Sequence, residues 1–167
     1  PVYRPNFKYK YDFDDNGVFF YLGTKGKKHS YKNPNELKLV KVFSSSLLKG
    51  NLNDFIGRNI VNLSTENEEN SFFGVDLGEN RFLVPNAYSL RNRNSSHNVL
   101  LSWSLEGSND KINYILLDNR AFTNLKNPHF HKKFEKERNL LMQPGCTSTW
   151  GISKKIVVFN FPVFIFI

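Results

Sequence analysis

Between Phe72 and Asp110 the chain alternates apolar and polar residues with a period of two, and this pattern constrains its fold more than any other feature. Phe73, Val75 and Leu77 fall on one face of an extended segment, while Gly74 and Asp76 fall on the other. Tyr88 and Leu90 form a second inward pair, and Leu101, Trp103 and Leu105 a third. Asn109-Asp110 turns the chain and Tyr114 to Leu117 returns it. Such passes predict an all-β fold, an antiparallel β-sandwich of jelly-roll type with little helix.

Composition agrees with strands. The 167 residues are 40% hydrophobic, enough for one domain with a true core. Sixteen Phe and seven Tyr against one Met suit pleated, half-buried surfaces. A single cysteine, Cys146, excludes an intrachain disulfide and favours a reducing compartment, cytoplasmic or nuclear. No signal-peptide pattern opens the chain, and Pro1 stands where a Met would, which leaves its start open.

Elsewhere the signals are shorter. Asp14-Asp15-Asn16-Gly17 between the aromatics of Tyr9 to Phe20 predicts a hairpin. Thr24 to Lys32 is a basic loop carrying Lys25, Lys27, Lys28 and Lys32, and Asn33-Pro34 ends it. Leu37 to Phe43 predicts a strand running into the polar Ser44-Ser45-Ser46. Phe55 to Leu63 predicts another, with Gly57 at a bend, and Thr65 to Ser71 reads as a loop. Asn127-Pro128 has the form of a helix start, with Phe130, Phe134 and Leu141 on one face and Gln143-Pro144-Gly145 as the stop. A short inserted helix between Pro128 and Leu141 is expected to lie across one end of the sandwich.

The last stretch, 156–167, is almost wholly apolar. It is shorter than the roughly twenty residues a membrane-spanning helix needs, and Pro162 interrupts it. Residues 1–155 read as the domain and 156–167 as an apolar tail, either aberrant or a truncated closing strand, with the part before Pro162 expected to pair in the sheet and the rest to be loose.

If the strands are successive antiparallel passes, the loop Asn92 to Asn98 shares an end of the sandwich with Asn119 to Gly145, and the turn Glu106 to Ile112 lies at the other. The shared end is basic, and Arg91, Arg93, His97, Arg120 and Lys126 are the candidate ligand-binding residues. Arginine suits bidentate capture of carboxylate, phosphate or sugar hydroxyls. The net charge of +8 and pI near 9.6 would also suit a charge-driven binder of anionic lipid or nucleic-acid surfaces. No basic block exceeds three residues in a row, which disfavours a dedicated nucleic-acid role.

Catalysis and metal chemistry find little support in the residues. His129, His131 and Cys146 match no standard zinc spacing. Asp76 reads as a strand-end acceptor of backbone hydrogen bonds, and Glu106 with Asp110 flanks a turn without the rest of a glycosidase site. Trp103 and Trp150 read as core. The expectation is a binding module and not an enzyme, with no cofactor and no metal.

Val75-Asp76-Leu77-Gly78, the strand Pro85 to Arg91, Trp103-Ser104-Leu105-Glu106-Gly107-Ser108-Asn109-Asp110 and Thr147-Ser148-Thr149-Trp150 together resemble the discoidin-like, galactose-binding-like domains related to factor V/VIII type C modules. The resemblance runs from about Tyr9 to Ile152 and is nearest the intracellular branch found in HECT-type ubiquitin ligases and BTB-containing proteins. It implies a jelly roll that binds a protein or glycan ligand, in a larger intracellular protein connected with the ubiquitination machinery. The chain departs from that pattern in three places. Lys111 and Tyr114 stand where the family has Gly and Trp, Asn119 to Gly145 is long, and 156–167 differs from the family's closing strand, which pairs beside the first.

Overall fold

The computed structural model describes residues 7–11, 14–59, 61–66, 68, 70–78, 81, 83, 85, 87–91, 102–120, 129–133 and 156–161. For 91, 129–133 and 156–161 the description is of backbone path and pairing. The elements in chain order are α1 (Val18–Gly23), β1 (Lys41–Ser44), a 3₁₀ turn (Leu52–Ile56), β2 (Ser71–Asp76), β3 (Ala87–Arg91), β4 (Trp103–Ser108), β5 (Tyr114–Arg120), β6 (His129–Lys133) and β7 (Ile156–Phe161).

All strand pairs are antiparallel. One sheet of five strands has the order β1-β2-β7-β4-β5, and β3 pairs with β6 in a second. The fold is the all-β architecture that the alternation requires. β7 bonds to β2 on one edge and β4 on the other, so that Phe73 lies opposite Phe159 and Phe159 opposite Leu105. It pairs beside β2 and not beside the first strand. Pro162 and the residues after it lie outside the described residues, as do Leu101, Cys146 and Trp150.

The core follows the inward faces. Leu63, Phe73, Leu90 and Trp103 form one buried cluster, with Tyr88 and Phe55 packed on it. Leu90 comes from β3 and Trp103 from β4, so the cluster joins the two sheets. Phe55 stacks on Phe73 with centroids 5.0 Å apart. A second cluster of Val40, Val42, Ile56, Val75 and Leu77 is covered by Phe19 and Leu22 of α1.

Four local expectations are corrected. Asp14 does organise a turn, accepting from Asn16 N at 3.0 Å, but the chain continues as α1 and no hairpin forms. Phe19 and Leu22, three apart, reach the second cluster, and Phe20 stacks on Tyr31 at 5.8 Å, so tertiary packing overrides the strand propensity of these aromatics. Leu52–Ile56 is a 3₁₀ turn where a strand was expected from Phe55, because Asn51 and Asp54 form a reciprocal capping box. Residues 129–133 are strand and not helix. Pairing with β3, from Arg91↔His129 to Ala87↔Lys133, prevails over the local Asn-Pro start signal. Finally, Gly74 and Asp76 are buried although they alternate with the inward residues. The Phe43 ring covers Gly74 so closely that an added Cβ would meet it at 2.4 Å.

Among the described residues no helix is long and apolar enough to cross a membrane.

Candidate functional site

Strand register determines where the basic loops attach. Arg91 closes β3 opposite His129, the first residue of β6. Trp103 opens β4 opposite Arg120, which closes β5. The connection after Arg91 therefore leads to Trp103 and the connection after Arg120 leads to His129, so both run between the same two paired ends. The turn between Ser108 and Tyr114 lies at the far end of the β4–β5 hairpin. Of the candidate ligand residues, Arg91 and Arg120 occupy these strand ends, while Arg93, His97 and Lys126 lie outside the described residues.

The framework beneath this end is polar and bonded. Trp103 Nε1 donates to Tyr88 Oη at 3.0 Å, and that hydroxyl donates to Asp118 Oδ2 at 2.5 Å. Arg120 grips the same carboxylate, Nε to Oδ2 at 2.9 Å and Nη2 to Oδ1 at 3.3 Å. Burial, helped by the Asp118 acceptor, pushes the Tyr88 phenol far above its ordinary value and keeps it a neutral donor. The Asp118 hydrogen bond likewise raises Arg120. The Arg120 guanidinium is thus paired with Asp118 at the end of β5.

The opposite end is held by its own turn. Asp110 accepts from Ile112 N at 2.9 Å and from Asn113 N at 2.8 Å, and the Asn113 bonds hold its carboxyl well below the usual range. Lys111 takes a left-handed φ of 69°, the conformation a glycine would adopt freely, and its ammonium pairs with Asp76. Asp76 also accepts from Gly78 N at 2.9 Å, which is the strand-end role expected of it.

A cleft that the sequence does not announce lies on the face built by residues 31–36, 53–59 and 61. It encloses about 400 Å³ and is lined by Tyr31, Lys32, Asn33, Glu36, Asn53 and Arg58, among others. Hydrogen bonds brace its walls. Asn33 Nδ2 donates to Asn53 O at 2.8 Å, and Asn35 Oδ1 accepts from Val42 N at 2.8 Å. The Arg58 guanidinium lies 4.6 Å over the Phe20 ring and pairs with Asp15 at 2.9 Å. Tyr31 donates to Ile56 O at 3.0 Å, and burial pushes its phenol up. The available signal was Asn33-Pro34 together with Asn51, Asn53 and Asp54, polar residues that brace loops against each other.

No family model matches the chain. It is 31% identical over 153 residues to E3 ubiquitin-protein ligase Ufd4 of Drosophila melanogaster, covering 88% of this chain. It is 33% identical over 150 residues to E3 ubiquitin-protein ligase hecd-1 of Caenorhabditis elegans, covering 86%. The chain spans about 5% of the length of each of these curated relatives. Among solved structures, CpGH89CBM32-5 from Clostridium perfringens, in complex with GalNAc-β-1,3-galactose, superposes with a TM-score of 0.52 at 13% identity. That match covers 77% of this chain and 87% of the other. The fold is of the galactose-binding-like, jelly-roll type.

Proposed function

We propose that the chain is a non-catalytic recognition module of a larger intracellular ubiquitin ligase. It holds a protein or glycan ligand at the end of the sandwich to which Arg91, Arg93, His97, Arg120 and Lys126 belong. The observation that carries this reading is the double register Arg91↔His129 and Trp103↔Arg120, which tethers both basic connections to the same paired ends. Loops on a rigid strand framework are where binding groups collect, and guanidinium forks suit carboxylates and sugar hydroxyls. Likeness to two E3 ubiquitin-protein ligases supports the setting, and a solved neighbour carrying a disaccharide supports a glycan as one ligand class. In this reading the module selects and the rest of the ligase transfers.

The test is a glycan panel that includes GalNAc-β-1,3-galactose, run beside proximity labelling from the full-length ligase at low and high salt. Binding that survives high salt and is lost when Arg91, Arg93 and His97 are changed to Ala supports the reading. Binding that collapses steeply with salt and follows anionic lipid or nucleic acid would replace it with a charge-driven surface.

A further inference from the structure

Lys32 lines both the cleft and a smaller hollow of about 240 Å³, whose other walls are Gly23, Lys25, His29, Ser30 and Leu37. No acidic residue occurs from Val18 to Lys32, while Lys25, Lys27, Lys28, His29 and Lys32 are all exposed there. Among the described residues none of Lys25, Lys28, His29 and Lys32 is in an ion pair. The Lys27 ammonium reaches only a neutral amide oxygen, Asn16 Oδ1, at 3.3 Å.

This concentration of positive charge sits on a built turn. Buried Thr24 accepts from Lys28 N at 2.9 Å and His29 N at 3.0 Å through its carbonyl, and from Lys27 N at 2.9 Å through its hydroxyl. That hydroxyl donates to Phe20 O at 2.8 Å. Lys25, Gly26 and Lys27 run at φ of 49°, 77° and 68°, a left-handed sequence that is costly for two lysines. Lys32 N donates to Gly23 O at 3.1 Å, and a Cβ on Gly23 would lie 2.4 Å from the Lys32 carbonyl oxygen, so glycine permits this contact. The carbonyls that end α1 are already bonded: Phe20 to Thr24 N, Tyr21 to Gly26 N and Leu22 to Lys25 N. The lysine ammoniums are therefore not consumed in capping the helix.

We propose that this hollow is an anion site for a phosphate monoester carried on a peptide side chain, independent of the ligand at the loop end. A phosphate group brings about −1.5 to −2 charge and three acceptor oxygens, which match the Lys25, His29 and Lys32 donors better than a carboxylate does. The volume is below the roughly 300–1,000 Å³ of sites for drug-sized ligands, which suits one anionic side chain and not an oligosaccharide. A membrane-binding face would surround its cations with exposed apolar residues, whereas this hollow is concave and Leu37 is only partly exposed.

The experiment titrates the 167-residue chain with a short phosphoserine peptide, its unphosphorylated twin, inorganic phosphate and phosphatidylserine vesicles, following backbone amide shifts. The phosphopeptide and inorganic phosphate should shift amides between Gly23 and Lys32, and the unphosphorylated twin should not. The pair Lys25→Gln and Lys32→Gln should weaken phosphopeptide binding roughly tenfold or more, as loss of hydrogen bonds to a charged group does. The pair Lys25→Arg and Lys32→Arg should retain binding, which separates loss of charge from loss of fold, and the Arg91, Arg93, His97 triple change should leave binding intact. Equal affinity for the two peptides, undiminished binding by the glutamine pair, or binding to vesicles alone would overturn the proposal.

Discussion

Trp103 Nε1 donates to the Tyr88 hydroxyl at 3.0 Å, and that bond ties the five-stranded sheet to β3 of the other. The indole is fully buried beside Phe73, Leu63 and Leu90. Trp103→Ala removes both the packing and the donor and should cost about 3–5 kcal/mol. A domain with about 5–15 kcal/mol of stability would then be poorly folded. Chemical denaturation measures this, and a loss of less than about 1 kcal/mol would put the indole outside the core.

Tyr88→Phe keeps the ring and deletes the hydroxyl that joins Trp103 to Asp118. The expected cost is about 1–3 kcal/mol, that of leaving partly buried polar groups without a partner. The phenol also predicts an alkaline limit. Its folded pKa is raised, chiefly by burial, so its stabilisation is complete below the unfolded value of about 10 and is lost as pH rises above that. Urea midpoints should fall above pH ~10 in the wild type, and less steeply in Tyr88→Phe. Parallel pH profiles would show that another group controls the limit.

Lys111 combines a strained φ of 69° with an ion pair to Asp76, a residue only 8% exposed. Lys111→Ala keeps the strain and removes the cation, for a cost of about 1–3 kcal/mol. Lys111→Gly loses the same pair but relieves the backbone, and should be milder by about 1 kcal/mol. Equal urea midpoints for the two variants would remove the strain from this account.

Val158 lies opposite Gly74 of β2 and Glu106 of β4. Val158→Pro would place a residue without an N–H in the middle of an inner strand and should cost about 3 kcal/mol or more. Hydrogen exchange is the check, since loss of protection should spread into both β2 and β4. Unchanged protection in either strand would contradict the central place of β7.

The strands that carry the core were legible because their alternation is long and bounded by turns. Phe73, Val75, Leu77, Leu90, Trp103 and Leu105 are all buried, as their period requires. The elements misread were short ones determined by distant partners. Nothing local in Val18 to Gly23 announces that Phe19 and Leu22 will cover a cluster containing Val75 and Leu77. His129 to Lys133 follows a good helix start, but β3 needs a partner strand. The 3₁₀ turn could have been found from Asn51 and Asp54 at capping-box spacing. Strand parity treated Asn119 to Gly145 as a single loop, whereas β6 divides that stretch at His129 and pairs with β3. The engagement of Arg120 with Asp118 likewise needed the register of β4 on β5 and the approach of Tyr88. The cleft above Tyr31 was hidden because its lining residues are separated in sequence and meet through contacts such as Asn33 with Asn53 and Tyr31 with Ile56.

Recognition at the loop end is checked by changing Arg91, Arg93 and His97 together to Ala and measuring ligand binding and melting temperature on the same protein. Binding should be abolished while stability moves by less than about 0.5 kcal/mol, as for exposed loop substitutions. A variant that keeps its ligand, while changes in the turn Gly107 to Ile112 lose it, would move the site to the other end of the sandwich.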